Sequence, residues 1–373
     1  MAYYTRYEKL QKYYKDGTAV EPAEYKKGTN LGVAEYSSLE ECQNSSTPPT
    51  PLSNCIGWKS TDNTLIYAIN GTKYTTSDSP LCIDDTVTKL RLGDGTIKSN
   101  ITELDLSSFD SSSLTSMEYM FAGNAKLVNL DVSRFNTENC TSFFNMFENC
   151  ENLTSIDVSN FDTKNCSNFG SMFNNCEKLT SINVSNFNFN NCRNISYMFA
   201  FCYNLISLDT SKFITKKCTG LTSTFEGCLN LASVDVSNFD VSNCENINST
   251  FERCRSLKTL DLSRWNTSNN RNFQRLFKNC RSLSSLDLSS FDTRECYIFH
   301  EMFYGCENLE TLNLKNFDMS IANDYRSMFG GCNKLKNITC KQAFKNWCIT
   351  HQNEIELPTA MREGGTGTWT IVD

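Results

Sequence analysis

The sequence predicts an α/β solenoid, built from about ten stacked coils of 26 residues, each a strand, a turn and a short helix, with a small β-rich cap at its N-terminal end. Three observations carry this. Apolar segments beginning at Leu104, Leu130, Ile156, Ile182, Leu208, Val234, Leu260, Leu286, Leu312 and Ile338 recur every 26 residues without insertion or deletion. Three further columns keep the same step: Phe121 to Phe329, Leu127 to Leu335, and Phe109 to Phe317 with Trp265 in the series. All six prolines, Pro22, Pro48, Pro49, Pro51, Pro80 and Pro358, fall outside residues 99–340, and a proline inside a ladder would remove a backbone donor.

The elements can be taken in chain order. Residues 1–46 differ in composition from the rest, with Tyr3, Tyr4, Tyr7, Tyr13, Tyr14 and Tyr25 among many charges, and read as an N-terminal attachment module. TPPTPL, 47–52, reads as a stiff linker. In 53–98, TLIYAI and TKYTT flank Asn70-Gly71, a strong hairpin signal, and this β-hairpin is expected to cap the first coil. Residues 99–340 are the solenoid. In the coil starting at Leu127, Leu130 and Val132 alternate with Asp131 and Ser133, as in a half-buried strand. The turn-rich Asn136 to Asn139 follows. Cys140, Phe143, Met146, Phe147 and Cys150 then recur at three- and four-residue spacing, which predicts one face of a short helix. Strand, turn and helix within 26 residues match the leucine-rich-repeat length range. Residues 341–373, with QAFKNWC and WTIVD, read as the C-terminal cap.

One coil cannot bury this apolar face, but stacked coils can. Each phenylalanine so buried contributes roughly 1.5–3 kcal/mol. Parallel strands at about 4.8 Å spacing make ten coils a rod or arc about 45 Å long.

Composition narrows the function classes. The net charge is −7, and Lys and Arg are dispersed, which argues against nucleic-acid binding. No apolar run approaches the roughly 18 residues of a membrane span, and the opening MAYYTRYEKLQKYY reads as neither a signal peptide nor an anchor. The 19 cysteines suggest disulfides until they are placed. Fourteen fall in two columns, Cys150 to Cys332 and Cys140 to Cys296, with no CxxC pair for zinc. They read as small buried residues filling a ladder. Cys55–Cys82 or Cys340–Cys348 pairing is left open.

Catalysis finds little support. The two histidines, His300 and His351, sit in packing contexts, and no phosphate loop, nucleophile elbow or metalloprotease motif occurs. No catalytic residue, metal or cofactor is assigned. The candidate binding strip is the column Asp131, Asp157, Asp209, Asp235, Asp261 and Asp287, with Asp105, Asn183 and Asn313 in step, expected on the concave side. Stacked carboxylates repel, so protonation, a cation or hydrogen bonds from serines such as Ser133 and Ser159 must relieve them. The last is favoured, because the column is as regular as the core. Positions that break the repeat are the other candidates: Arg134, Lys212 and Arg264 above all, then Lys216, Lys217, Phe189, Tyr203 and Arg294.

The unit LxxLDLSxFDTxxCxxFxxMFxxC, as in MFENCENLTSIDVSNFDTKNC from Met146 to Cys166, resembles the BspA-like leucine-rich repeats of bacterial surface proteins. It implies adhesion or surface recognition. YTRYEKLQKYYKDGTAVEPAEYKKGTNLG, followed by EYSSLEECQ, resembles N-terminal segments of virion and tail proteins from crAss-like and other phages of Bacteroidetes. That second resemblance implies a non-enzymatic phage tail or fibre protein, made in the host cytoplasm and released by lysis. Its N-terminal tyrosines would dock other virion proteins, and its solenoid would meet a host surface glycan or protein, in several copies or as a homo-oligomer. The alternative is a bacterial cell-surface adhesin or scaffold, with no membrane insertion.

Overall fold

The computed structural model describes the backbone of four strands between residues 55 and 92, and residues 102–106, 111, 112 and 114–372. The N-terminal module, its tyrosines and the linker lie outside the described residues. The array is a solenoid of 26-residue leucine-rich repeats. Its Phe121, Phe147, Phe173 and Phe199 rings stack coil on coil at centroid separations of 5.4 to 5.7 Å. The same stack continues through Phe225, Phe251, Phe277 and Phe303 to Phe329 at 5.5 to 6.1 Å. These rings and the Leu127-to-Leu335 column are fully buried.

The segment expected to be helical is not. In each coil it is a chain of overlapping four-residue turns. Met146 N–H donates to Phe143 O, Glu148 N–H to Asn145 O, and Cys150 N–H to Phe147 O. Asn145 and Asn149, third residues of the first and last of these turns, have φ of 57° and 59°, as type II turns require. The alternate N–H groups point across to the next coil. Phe143, Asn145, Phe147 and Asn149 donate to the carbonyls of Asn168, Gly170, Met172 and Asn174 at 2.8 to 3.0 Å. Two turns of period four bury residues at i, i+3, i+4 and i+7, the same spacing as a helix face. That coincidence is the reason the pattern read as helical.

The inner segments differ from expectation as well. Regular strands are β5 (Glu103–Asp105), β6 (Ser285–Asp287), β7 (Thr311–Asn313) and β8 (Asn337–Cys340). In the coils between β5 and β6 the inner segments keep the in-out burial of a strand. Neighbouring coils there meet through single bonds, such as Thr154 N–H to Val128 O and Thr180 N–H to Thr154 O at 3.3 Å. The closer backbone ladder is therefore on the turn side.

Asn70-Gly71 lies outside the described residues, and the two strands that flank it do not pair as the expected hairpin. β2 (Thr64–Ile69) pairs antiparallel with β1 (Cys55–Lys59), Ile66 opposite Trp58, and parallel with β4 (Lys89–Leu92). β3 (Lys73–Thr75) instead pairs parallel with β5, Tyr74 beside Leu104.

At the far end, α1 (Gln342–Thr350) follows β8, and a short 3-10 turn (Thr359–Met361) leads into β9 (Thr368–Ile371). β6, β7, β8 and β9 form one parallel sheet in that order. Ser327 and Phe329 donate to Glu354 O and Ile355 O, so the segment after α1 receives the last turn-side bonds.

Candidate functional site

The aspartate column lies exposed on the inner segments. Each Oδ1 accepts the N–H of the serine two residues on: Ser133 to Asp131, Ser159 to Asp157 and Ser237 to Asp235 at 2.9 Å, Ser211 to Asp209 and Ser263 to Asp261 at 3.0 Å, Ser289 to Asp287 at 2.8 Å. Asn183 does the same for Ser185. These are Asx turns within a coil, which fix the corner before the aromatic residue. The serine hydrogen bonds hold Asp157, Asp209, Asp235 and Asp261 below the usual carboxylate range, so these four stay ionised at neutral pH.

Arg134, Lys212 and Arg264 stand exposed three residues beyond Asp131, Asp209 and Asp261. Lys212 and Arg264 add a Coulombic attraction to Asp209 and Asp261. The three cations are three and two coils apart along the array, so the fold does not gather them into one site. Phe189 is a correction. It is 1% exposed and packs on Phe213 at 4.0 Å, replacing a polar residue by core. The place it fills is held by buried Val241 and Met319 in two other coils and by Thr137, Thr163, Thr215, Thr267 and Thr293, whose hydroxyls donate to the next coil's backbone carbonyl.

The cysteines are structural. From Cys150 to Cys332, each Sγ of the first column donates to the phenylalanine carbonyl 29 residues earlier, at 3.0 to 3.3 Å. Cys340 and Cys348 are buried free thiols and are not paired. Burial pushes Cys140, Cys150, Cys202 and Cys306 up to about 12, far from thiolate reactivity. Among the described residues no group of three His, Cys, Asp or Glu is placed to hold a metal ion, and no helix is long and apolar enough to cross a membrane. His300 sits 3.5 Å from Glu301 and 3.8 Å from Asp324, while His351 stacks on Trp347 at 4.6 Å.

Depth appears where the repeat ends. A cavity of about 590 Å³ opens between the last coil corners and α1, lined by Asp292, Arg294, Asn316, Phe317, Asp318, Lys341, Phe344 and Trp347 among others. A second hollow of about 520 Å³ shares Asp292 and Arg294 with it, and runs back past Arg271, Glu295 and Asn269 to Asn243 and Glu245. Of these residues only Arg294 stands out in the sequence. Asp292, Asn316 and Asp318 look like ordinary corner residues; α1 closes one side of the first cavity, while the second lies between coils within the array.

Comparison with known proteins adds the following. No curated protein sequence matches the chain. A leucine-rich repeat protein from Eubacterium ventriosum is similar at 17% identity, over 78% of this chain and 84% of that one, with a TM-score of 0.35. A leucine rich cell surface protein from Faecalibacterium prausnitzii is similar at 14% identity, over 82% of this chain and 96% of that one, with a TM-score of 0.25. The family model described as "Mycoplasma protein of unknown function, DUF285" matches residues 95–213, 193–309 and 219–347, most of the chain, and the protein belongs to that family.

Proposed function

We propose that this protein is a non-enzymatic recognition scaffold that acts at an outer surface. One observation carries the reading. Core and turns repeat coil for coil, while exposed positions on the same frame change, as Arg134, Lys212 and Arg264 stand where Asn160, Asn186 and Asn238 clip the preceding coil's backbone in other coils. A fixed frame with a varied face suits contact with a macromolecule. The described cysteines are all buried in the core, away from any solvent-borne substrate, which also favours binding over catalysis.

The broader form of the proposal is an adhesin on a bacterial cell. Its narrower form, a phage tail or fibre protein, is supported by the likeness of residues 4–32 and 35–43 to virion proteins. Mass spectrometry of purified phage particles beside washed, uninfected cells tests both. The chain in particles supports the virion form. Peptides shaved by protease from intact cells support the adhesin. Recovery only from the soluble interior of cells overturns the surface reading.

A further inference from the structure

We propose that two copies of this chain pair through the corner where the turn side leads into the inner segment, across a two-fold axis between Tyr203 and Leu229. The inference goes beyond the scaffold reading and does not depend on it.

One column carries it. Glu151, Glu177, Tyr203, Leu229, Arg255 and Arg281 stand 26 residues apart, one per coil, each directly after a buried cysteine. Arg255 and Arg281 are exposed and the other four half-buried. The column is tied coil to coil through its backbone. Lys178 N–H donates to Glu151 O at 3.2 Å, Asn204 N–H to Glu177 O at 3.3 Å and Ser256 N–H to Leu229 O at 3.1 Å. Along the array it therefore presents two acids, two apolar residues and two bases on a fixed frame.

That order selects the partner. A uniformly charged ligand would gain on one half of the column what it loses on the other. A second copy turned end for end matches both halves. Glu177 then faces Arg255, Glu151 faces Arg281 and Tyr203 faces Leu229, each contact made twice, as an isologous interface requires. The spacing keeps these pairs in register. Ring stacking puts the coils of Glu177 and Tyr203 5.7 Å apart, and those of Leu229 and Arg255 5.8 Å apart. The next steps outward are 5.4 and 5.9 Å. Glu177 and Arg255 make no ion pair within the chain among the described residues, so their charges are open to a partner. Arg281 already meets Glu307 at 3.1 Å and contributes less. The apolar centre is widened by Phe201, whose ring lies over Gly227 and edge-on to Tyr203 at 6.1 Å. Phe201 has φ of 58°, a left-handed conformation that a bulky residue rarely adopts, where the coils on either side have Asn175 and Gly227. Backbone strain that keeps an aromatic residue at a surface is a mark of a contact site. An apolar centre with a charged rim is the anatomy of a protein–protein interface.

Sedimentation velocity on the full chain, over a concentration series at about 50 and about 500 mM salt, tests the pairing. We expect a monomer–dimer equilibrium whose dissociation constant rises about tenfold or more at the higher salt. Glu177→Arg and Arg255→Glu each set like charges face to face twice, so each variant should be monomeric alone. Mixed together, the two are complementary at both contacts and should form a heterodimer. The double variant Glu177→Arg/Arg255→Glu restores opposite charges and should form a homodimer again. Lys315→Glu, an equal change of charge at an exposed place off the column, should leave the parent dimer intact. A parent that stays monomeric throughout the series overturns the proposal. So does a dimer indifferent to either single variant, or a pair of single variants that stay apart on mixing while the double variant also stays monomeric.

Discussion

At the residue scale, departures from a column show what the column does. Asn270 occupies a cysteine place, between Cys244 and Cys296 in the series. It is buried, its amide donates to Cys244 O, and its Oδ1 has no partner. A buried unsatisfied acceptor costs about 1–3 kcal/mol. Asn270→Cys restores a thiol donor without that acceptor, and we expect a higher melting temperature by calorimetry, equivalent to about 1 kcal/mol. No change or a loss would mean that the polar side chain is required there. Glu226 carries a different cost. Burial raises its pKa above the usual carboxylate range, opposed by a Ser223 hydrogen bond, helped by Glu252 and countered by Arg253 and Arg275. A folded carboxyl with a raised pKa stabilises while protonated, and that stability is lost as pH rises through the folded value. Glu226→Gln therefore melts higher than the parent at pH 7, and the gap closes as pH falls through that value. Asp157, Asp209, Asp235 and Asp261 have the opposite sign. Their lowered pKa values stabilise above the unfolded value, and that part is lost as pH falls through the folded one. A melting series from pH 7 to 3 on parent and variant checks both signs.

At the scale of the element, the coil is held by side chains clipping backbone as much as by backbone itself. The buried Thr267 hydroxyl donates to Asp292 O at 2.9 Å and accepts from Asp292 N–H at 2.8 Å. Thr267→Val keeps the shape and removes both bonds, with an expected loss of about 1–3 kcal/mol in urea unfolding. A loss near zero would show that water replaces the hydroxyl. The columns of core residues were legible in the sequence because burial repeats with the period. The turns were not, because their four-residue spacing mimics a helix. A signal against the helix was nevertheless present. Gly123, Asn149, Asn175, Gly227, Asn279, Gly305 and Gly331 share one place in the coil, where φ is positive throughout. A recurrent glycine or asparagine there marks a left-handed residue, which a helix interior does not contain. The inner aspartates were read correctly as hydrogen-bonded, since their serines sit two residues on in the sequence. The cavity beside α1 was not legible, because Asp292 and Asp318 are ordinary corner residues until α1 closes one side of it.

For the whole molecule, the question is how an array that leans on its next coil can stop. Each coil's turn-side N–H groups need carbonyls from the coil that follows, so the last one needs a substitute. The C-terminal segment supplies it twice. Glu354 O and Ile355 O accept the bonds of Ser327 and Phe329, and β9 pairs with β8, Trp369 beside Ile338. The same segment buries Phe344, Cys348, Ile355, Leu357 and Met361 against the end of the core. Each apolar side chain among them contributes roughly 1.5–3 kcal/mol gross. Repeat arrays are stabilised by neighbour contacts, so an uncovered end frays inward and exposes stacked phenylalanines. Two truncations divide the contributions. Ending the chain after Arg362 removes β9 and leaves the turn-side bonds, and should lower the melting temperature while the protein stays monomeric. Ending it after Lys341 removes both sets of bonds and the buried cluster, and should produce aggregates on size-exclusion chromatography. A monomer with an unchanged melt after the second truncation would show that the coils before Lys341 close the array themselves, and that the segment from Gln342 onward serves only the cavity it helps to form.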